Sequence, residues 1–353
     1  MPRRPTTEQL TEELFATREP VVREAFLRAI DEIRSSVTLK SVVEALERGD
    51  IEGALRALQI EPEAFSAFDR AITETYLDGG EAYTSNLPAI TAPDGSRVVW
   101  RFGARNLIAE IWLREYSSTL ITRISEDMKA AARDILANGL ARGDNPTTTA
   151  LDLVGRISRV SNRREGGILG LTAPQAKAVE NARQKLLSGD PALMREVLGL
   201  GRRDKRFDRT IAKAVRDGKT LPADFVKRWT GRYADSLLKL RGDLVGLKET
   251  MTALAKSRHD SIGQQIAAGK IDARDVTIGW KHSRQENPRI QHLAMNGKEI
   301  SWGERFVMPD GTVMAYPHDP DAPIEHTAFC KCMSFYRVNY AASLRRQSRS
   351  QAA

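Results

Sequence analysis

Nine apolar residues between Val226 and Leu254 (Val226, Trp229, Tyr233, Leu237, Leu240, Leu244, Leu247, Met251 and Leu254) recur at steps of three and four. That period lines one face of an α-helix and cannot be written on a strand, whose faces alternate every second residue. It is nearly a heptad seam, with one skip between Tyr233 and Leu237. We read a long helix over about 223–270 that packs on the chain's own helices, with intermolecular coiling as the alternative. A second stripe runs through Ile108, Ile111, Trp112, Tyr116, Leu120, Ile124, Met128, Ala131 and Ile135. Shorter amphipathic helices are expected from Thr6 to Leu87, broken at Pro20, Gly49–Asp50 and Pro62. Two helical stripes of this length commit most of the chain to α-structure.

At 353 residues with 41% hydrophobic content, the chain has room for two or three domains and a core that needs no staples. No apolar run approaches a membrane span, and MPRRPTTEQLTEEL lacks the apolar core of a signal peptide. A soluble, unexported protein is expected.

Two stretches break the helical texture. RVVWRF, after the turn-rich SNLPAITAPDGS, reads as a short strand in a hairpin or lying across helices. Beyond Asp275, the runs VTIGWKHS, KEISW, GTVMAYP and CKCMSFYRV read as short β-segments between Pro, Gly and Asp turns. The expected fold is therefore mainly α, an elongated multi-helix region followed by a compact C-terminal α+β module. Its expected parts are an acidic helical region (1–95), a helical body (96–270), the α+β module (271–338) and a disordered basic tail (339–353).

Charge is unevenly spread. Residues 1–90 carry a net −7 and residues 91–353 a net +15. This suits a chain that meets a polyanion with one part and a protein with another, or a pair of solvated faces. Arg202, Arg203, Lys205, Arg206 and Arg209 crowd into eight residues, and Asp204 and Asp208 cannot pair them all. Such a run can neutralise phosphates of double-stranded DNA without reading bases, or can simply face water.

The chemistry-bearing residues concentrate at the end of the chain. Its two cysteines, Cys330 and Cys332, are separated by one residue, and all five histidines lie beyond residue 258. A disulfide framework is excluded. If the cysteines lie in a strand, both thiols share a face, and with His292, His318 or His326 they could close a zinc site. The alternative is a pair of small buried thiols. A hydrolytic site at His292 with Glu299, Asp319 or Cys330 is weaker, because no motif specifies a base, an orienting group and an oxyanion site together.

The segments around Trp280, Arg289, His292, Asn296–Gly297, Phe306, Gly311, Tyr316–Pro317, Asp319–Pro320 and Cys330–Lys331–Cys332 resemble the phage Mu F-like minor head proteins, also called phage head morphogenesis proteins. The resemblance is strong over the last 60 of residues 165–335, weaker upstream, and includes Glu249–Thr250. Phe329 and Lys331 stand where that family has Asn and Arg. The resemblance implies a non-catalytic virion component. It would act in head assembly, associate with the portal and capsid, contact packaged DNA, and reside in host cytoplasm during assembly. The rival is a toxin-type hydrolase or nuclease-like effector using His292, Cys330 and Cys332. The turn formers support the module physically: Asn296–Gly297 and Asp310–Gly311 suit tight turns, and the two X-Pro pairs a stiff extended loop.

Overall fold

A computed structural model describes residues 4–103 and 107–351. The fold is mainly α with a small β-containing C-terminal part. In chain order the elements are α1 (Thr7–Ser36), α2 (Leu39–Glu47), α3 (Ile51–Ala57), α4 (Ser66–Ser85), α5 (Leu107–Ala141) and α6 (Pro146–Val154). The hairpin β1 (Arg156–Ile157) and β2 (Arg164–Glu165) follows, then α7 (Ala173–Leu187), α8 (Pro191–Val197), α9 (Asp208–Asp217) and α10 (Ala223–Ala267). The last part holds β3 (Val276–Lys281), α11 (Ile290–Met295), β4 (Glu299–Ser301), β5 (Phe306–Val307), β6 (Val313–Met314), α12 (Ile324–Thr327), β7 (Met333–Val338) and α13 (Tyr340–Gln351). No helix among the described residues is long and apolar enough to cross a membrane.

The chain folds into two compact units, each discontinuous in sequence. The first comprises Met1–Glu24, Phe68–Ser117 and Leu244–Ala353; the second comprises Ala25–Ala67 and Ser118–Asp243. The expected partition is therefore replaced. Three of the four boundaries fall inside the long helices α1, α5 and α10, so neither the acidic N-terminal region nor the C-terminal module is a separate body. Charge follows the units. The second carries 30 Lys and Arg against 23 Asp and Glu, seven of the chain's eight net positive charges.

Both helical stripes are realised, in α5 and α10; the side chain of Ile108 lies outside the described residues. The seam of α10 is buried at both ends, from Val226 to Leu237 and at Met251 and Leu254. In its middle, Leu240, Leu244 and Leu247 are only half-buried, while Arg241, Glu249 and Thr250 are buried. Glycines explain part of this. A Cβ on Gly242 would lie 2.8 Å from Leu27, and one on Gly246 2.7 Å from the Arg23 Cβ. Close approach on that face turns the polar residues inward. Two of them are satisfied there: Arg241 donates to the Gly170 carbonyl at 2.8 Å, and Glu249 accepts from Tyr116 and, at 2.9 Å, from Lys248. The Thr250 hydroxyl is buried without a hydrogen-bond partner among the described residues.

In the second unit, Arg34 is 3% exposed and donates to the Gly167 and Leu169 carbonyls at 2.6 Å each. This fixes the loop that leads into α7, whose start is a complete capping box between Thr172 and Gln175, with Pro174 in the first turn.

In the first unit, RVVWRF forms no strand. A single bridge, Thr91 to Arg97, closes a turn at Asp94–Gly95, and Val98 donates to Ile90 at 3.0 Å. The C-terminal sheet is antiparallel in the order β4-β3-β7, and β5-β6 is a separate hairpin. Trp280 of β3 lies at the centre of a core with Ile278, Met295, Phe306, Met308, Met314, Cys330 and Cys332. The tail expected to be disordered is helical over Tyr340–Gln351, because Ser343 and Arg346 both bond Asp275. Its last two residues lie outside the described part.

Candidate metal centre

Three elements bring the site together. His292 comes from the single turn and a half of α11, and Cys330 and Cys332 from the stretch between α12 and β7. The cysteines therefore do not share a strand face, as the i, i+2 argument expected. A bend brings them together instead: Phe329 adopts φ +52, and the Cys332 amide donates to the Cys330 sulfur at 3.3 Å.

His292 Nδ1 lies 3.4 Å from the Cys330 sulfur and 3.5 Å from that of Cys332. The three donor atoms fall within 4.8 Å of one another, and all three residues are buried. Hydrogen bonding from Cys330 lowers Cys332, while the same bond and burial raise Cys330.

Behind the triad runs a relay that the sequence reading missed. His292 Nε2 faces His326 Nδ1 at 3.1 Å, and His326 Nε2 faces the Asp310 carboxylate at 2.9 Å. The tautomers follow from the partners. Asp310 accepts only, so His326 carries its proton on Nε2. Where His326 Nδ1 accepts, His292 carries its proton on Nε2. His292 Nδ1 is then a bare lone pair aimed at two sulfurs. A ligating imidazole that hands its other N–H to an outer partner is the usual arrangement around a protein-bound metal. Asp310 was read only as a turn residue before Gly311. Its partner His326 lies sixteen positions on, and nothing local marks the pairing.

The remaining histidines stay outside the triad. His318 is 1% exposed, and burial pushes it down to about 3. His259 is pushed down to about 4 by burial, packed between Trp302, Tyr316 and Tyr336. Of the hydrolytic pairings considered for His292, that with Cys330 is formed, while Glu299 and Asp319 are engaged elsewhere. Asp319 accepts from the Ala315 and Asp321 amides at 2.7 and 3.1 Å, and Glu299 pairs with Arg337 at 2.5 Å.

The other motif residues are structural. Trp280 and Phe306 meet edge to face at 5.5 Å, and Arg289 donates to the Ala328 carbonyl. Asn296 accepts from the His282 amide at 3.0 Å, and only Gly297 takes the left-handed φ, at +79. The result is a turn joining α11 to β4, with Lys298 donating to Met295 at 3.0 Å, and not a hairpin. Tyr316–Pro320 is not extended either. It makes tight turns, with His318 at φ +64 and Asp319 donating to Tyr316 at 3.1 Å.

Of the basic cluster, Arg203 is held by Asp208 at 2.9 Å and Arg206 by Asp204 at 2.6 Å. Arg202, Lys205 and Arg209 are exposed and form no ion pair among the described residues.

No family model, curated protein or solved structure matches the chain.

Proposed function

We propose that the chain is a phage minor head protein, a structural and assembly component that contacts the portal and packaged DNA. The observation that carries this reading is the fate of the resembling residues. Trp280, Arg289, Asn296, Gly297, Phe306, Tyr316, Asp319 and the two cysteines converge on one core and its turns. They serve to build a module, and the resemblance rests on that module. The net charge of the second unit supports the DNA contact.

Within this reading, His292, Cys330 and Cys332 hold zinc. Two soft sulfurs and an imidazole are the donors zinc selects, and a buried site suits a structural ion that ties α11 to the stretch before β7. Bound zinc would cross-link the segments. The chain's own residues supply orientation: Asp310 and His326 fix the His292 ring.

The rival reading, a hydrolase or nuclease-like effector, draws support from the donor count. Three protein ligands leave a fourth position of the kind catalytic zinc uses. Burial of all three donors weighs against it.

Cryo-EM of the virion, combined with co-purification with the portal protein, tests the reading. Density for the chain at the portal vertex is expected. Absence from virions, together with metal-dependent nucleic-acid cleavage that His292→Ala abolishes in folded protein, would replace it with the rival.

A further inference from the structure

The second unit contains a cleft of about 1080 Å³ between the β1–β2 hairpin and the first turns of α10. Its walls are packed closely. Gly166, at φ +78, approaches α10 so closely that a Cβ there would lie 2.8 Å from the Gly231 Cα. The Asp235 carboxylate accepts the Gly166 N–H at 2.8 Å and fixes the hairpin to the helix.

Five cations line this cleft: Arg156, Arg206, Lys227, Arg228 and Arg232. Three are oriented by carboxylates, Arg156 by Asp152 at 2.7 Å, Arg206 by Asp204 at 2.6 Å and Arg232 by Glu165 at 3.7 Å. Lys227 and Arg228 form no ion pair among the described residues. Arg228 and Arg232 stand one helical turn apart, so their side chains are neighbours along one wall. Phe207 adds an aromatic surface to the same cleft. The volume exceeds the usual range for one small ligand, and guanidinium groups match phosphate geometry. An aromatic beside a cationic groove is the arrangement that holds an unpaired base and its backbone. Pure backbone neutralisation of a duplex needs no aromatic.

We infer that this cleft seats a single nucleic-acid strand, its phosphates against Lys227, Arg228, Arg232 and Arg156 and a base against Phe207. The inference rests on the proposed function in that the second unit meets DNA, and it adds a single-strand seat apart from the duplex contact considered for the exposed Arg202, Lys205 and Arg209. Because the contacts are to backbone and ring face, binding is independent of base sequence.

The test is fluorescence anisotropy on the full chain at several salt concentrations. The probes are a labelled 12-nucleotide single strand and the matching duplex, with polyglutamate as competitor. The single strand should bind more tightly than the duplex. Lys227→Ser with Arg228→Ser should weaken it at least tenfold and lower the slope of log affinity against log salt by about 0.7 for each phosphate left without its cation. Phe207→Leu should weaken it about tenfold and leave that slope unchanged. Thermal melts confirm that each variant is folded. Equal binding of duplex and single strand overturns the inference, as does polyglutamate that competes as well, charge for charge, as unlabelled strand. Loss of binding only in Arg202→Ser, Lys205→Ser, Arg209→Ser protein overturns the cleft and leaves the DNA reading standing. Failure to bind either form of DNA overturns both.

Discussion

His292 Nε2 lies 3.1 Å from His326 Nδ1, with the two rings nearly parallel and their centroids 5.4 Å apart. This one contact sets which His292 nitrogen faces the sulfurs. Zinc affinity should therefore depend on a residue that does not touch the ion. His326→Ala should weaken zinc binding about 10–100-fold, and Asp310→Asn should act in the same direction. Competition against a chromophoric chelator, with native mass spectrometry to count about one ion per chain, measures it. Unchanged affinity in both variants would reduce the relay to packing.

Phe329 holds a left-handed φ of +52 while 44% of it is exposed. A bulky L-residue loses about 1–2 kcal/mol there, whereas Asn visits the region readily. The resembling family has Asn at this place. Phe329→Asn should raise stability by about 0.5–1 kcal/mol, since little burial is forfeited. Urea denaturation of the two proteins decides it. A loss of stability would mean that the ring's packing outweighs the strain.

Burial keeps His259 neutral, down to about 4 from an ordinary value near 6.5. The unfolded chain takes up a proton at about pH 6.5 and the folded chain only near 4, so stability falls as pH drops through that window. Between pH 7 and 5 the loss from this residue is about 2 kcal/mol. His259→Phe, which keeps an aromatic between Trp302, Tyr316 and Tyr336, should flatten the pH dependence by that amount. Denaturation midpoints at the two pH values provide the comparison.

Arg34 is almost wholly buried, and its guanidinium satisfies the Gly167 and Leu169 carbonyls. Arg34→Met would fill similar volume but leave both carbonyls without that donor. A loss of about 3 kcal/mol is expected. Hydrogen exchange should localise the loosening to residues 166–171 and the start of α7. Uniform loss of protection across the second unit would show that Arg34 supports the whole core.

The helices were legible because a period of 3.6 is a local property, although Pro20, read as a break, lies inside the unbroken α1. Steps of three and four along residues 226–254 suffice to place α10, and Thr172, Pro174 and Gln175 suffice to start α7. The same holds for the short strands after Asp275 and for the gathering of every thiol and imidazole near the end of the chain. RVVWRF misled because its β-propensity finds no partner beyond one bridge, and a strand exists only when another pairs with it.

His292, Cys330 and Cys332 could be named from the sequence as donors, since their types and nearness to one another carry the chemistry. Tertiary structure decided the rest. It chose His292 over His318 and His326, and it set the thiols on a bend and not on a pleat. It also recruited Asp310 through a pairing that spans sixteen residues, and folded the acidic residues 25–67 with the basic 118–243 into one unit. Composition and periodicity act over one or two turns of chain. Which imidazole meets which sulfur, and which arginine keeps its charge free, depends on burial and on partners tens of residues away.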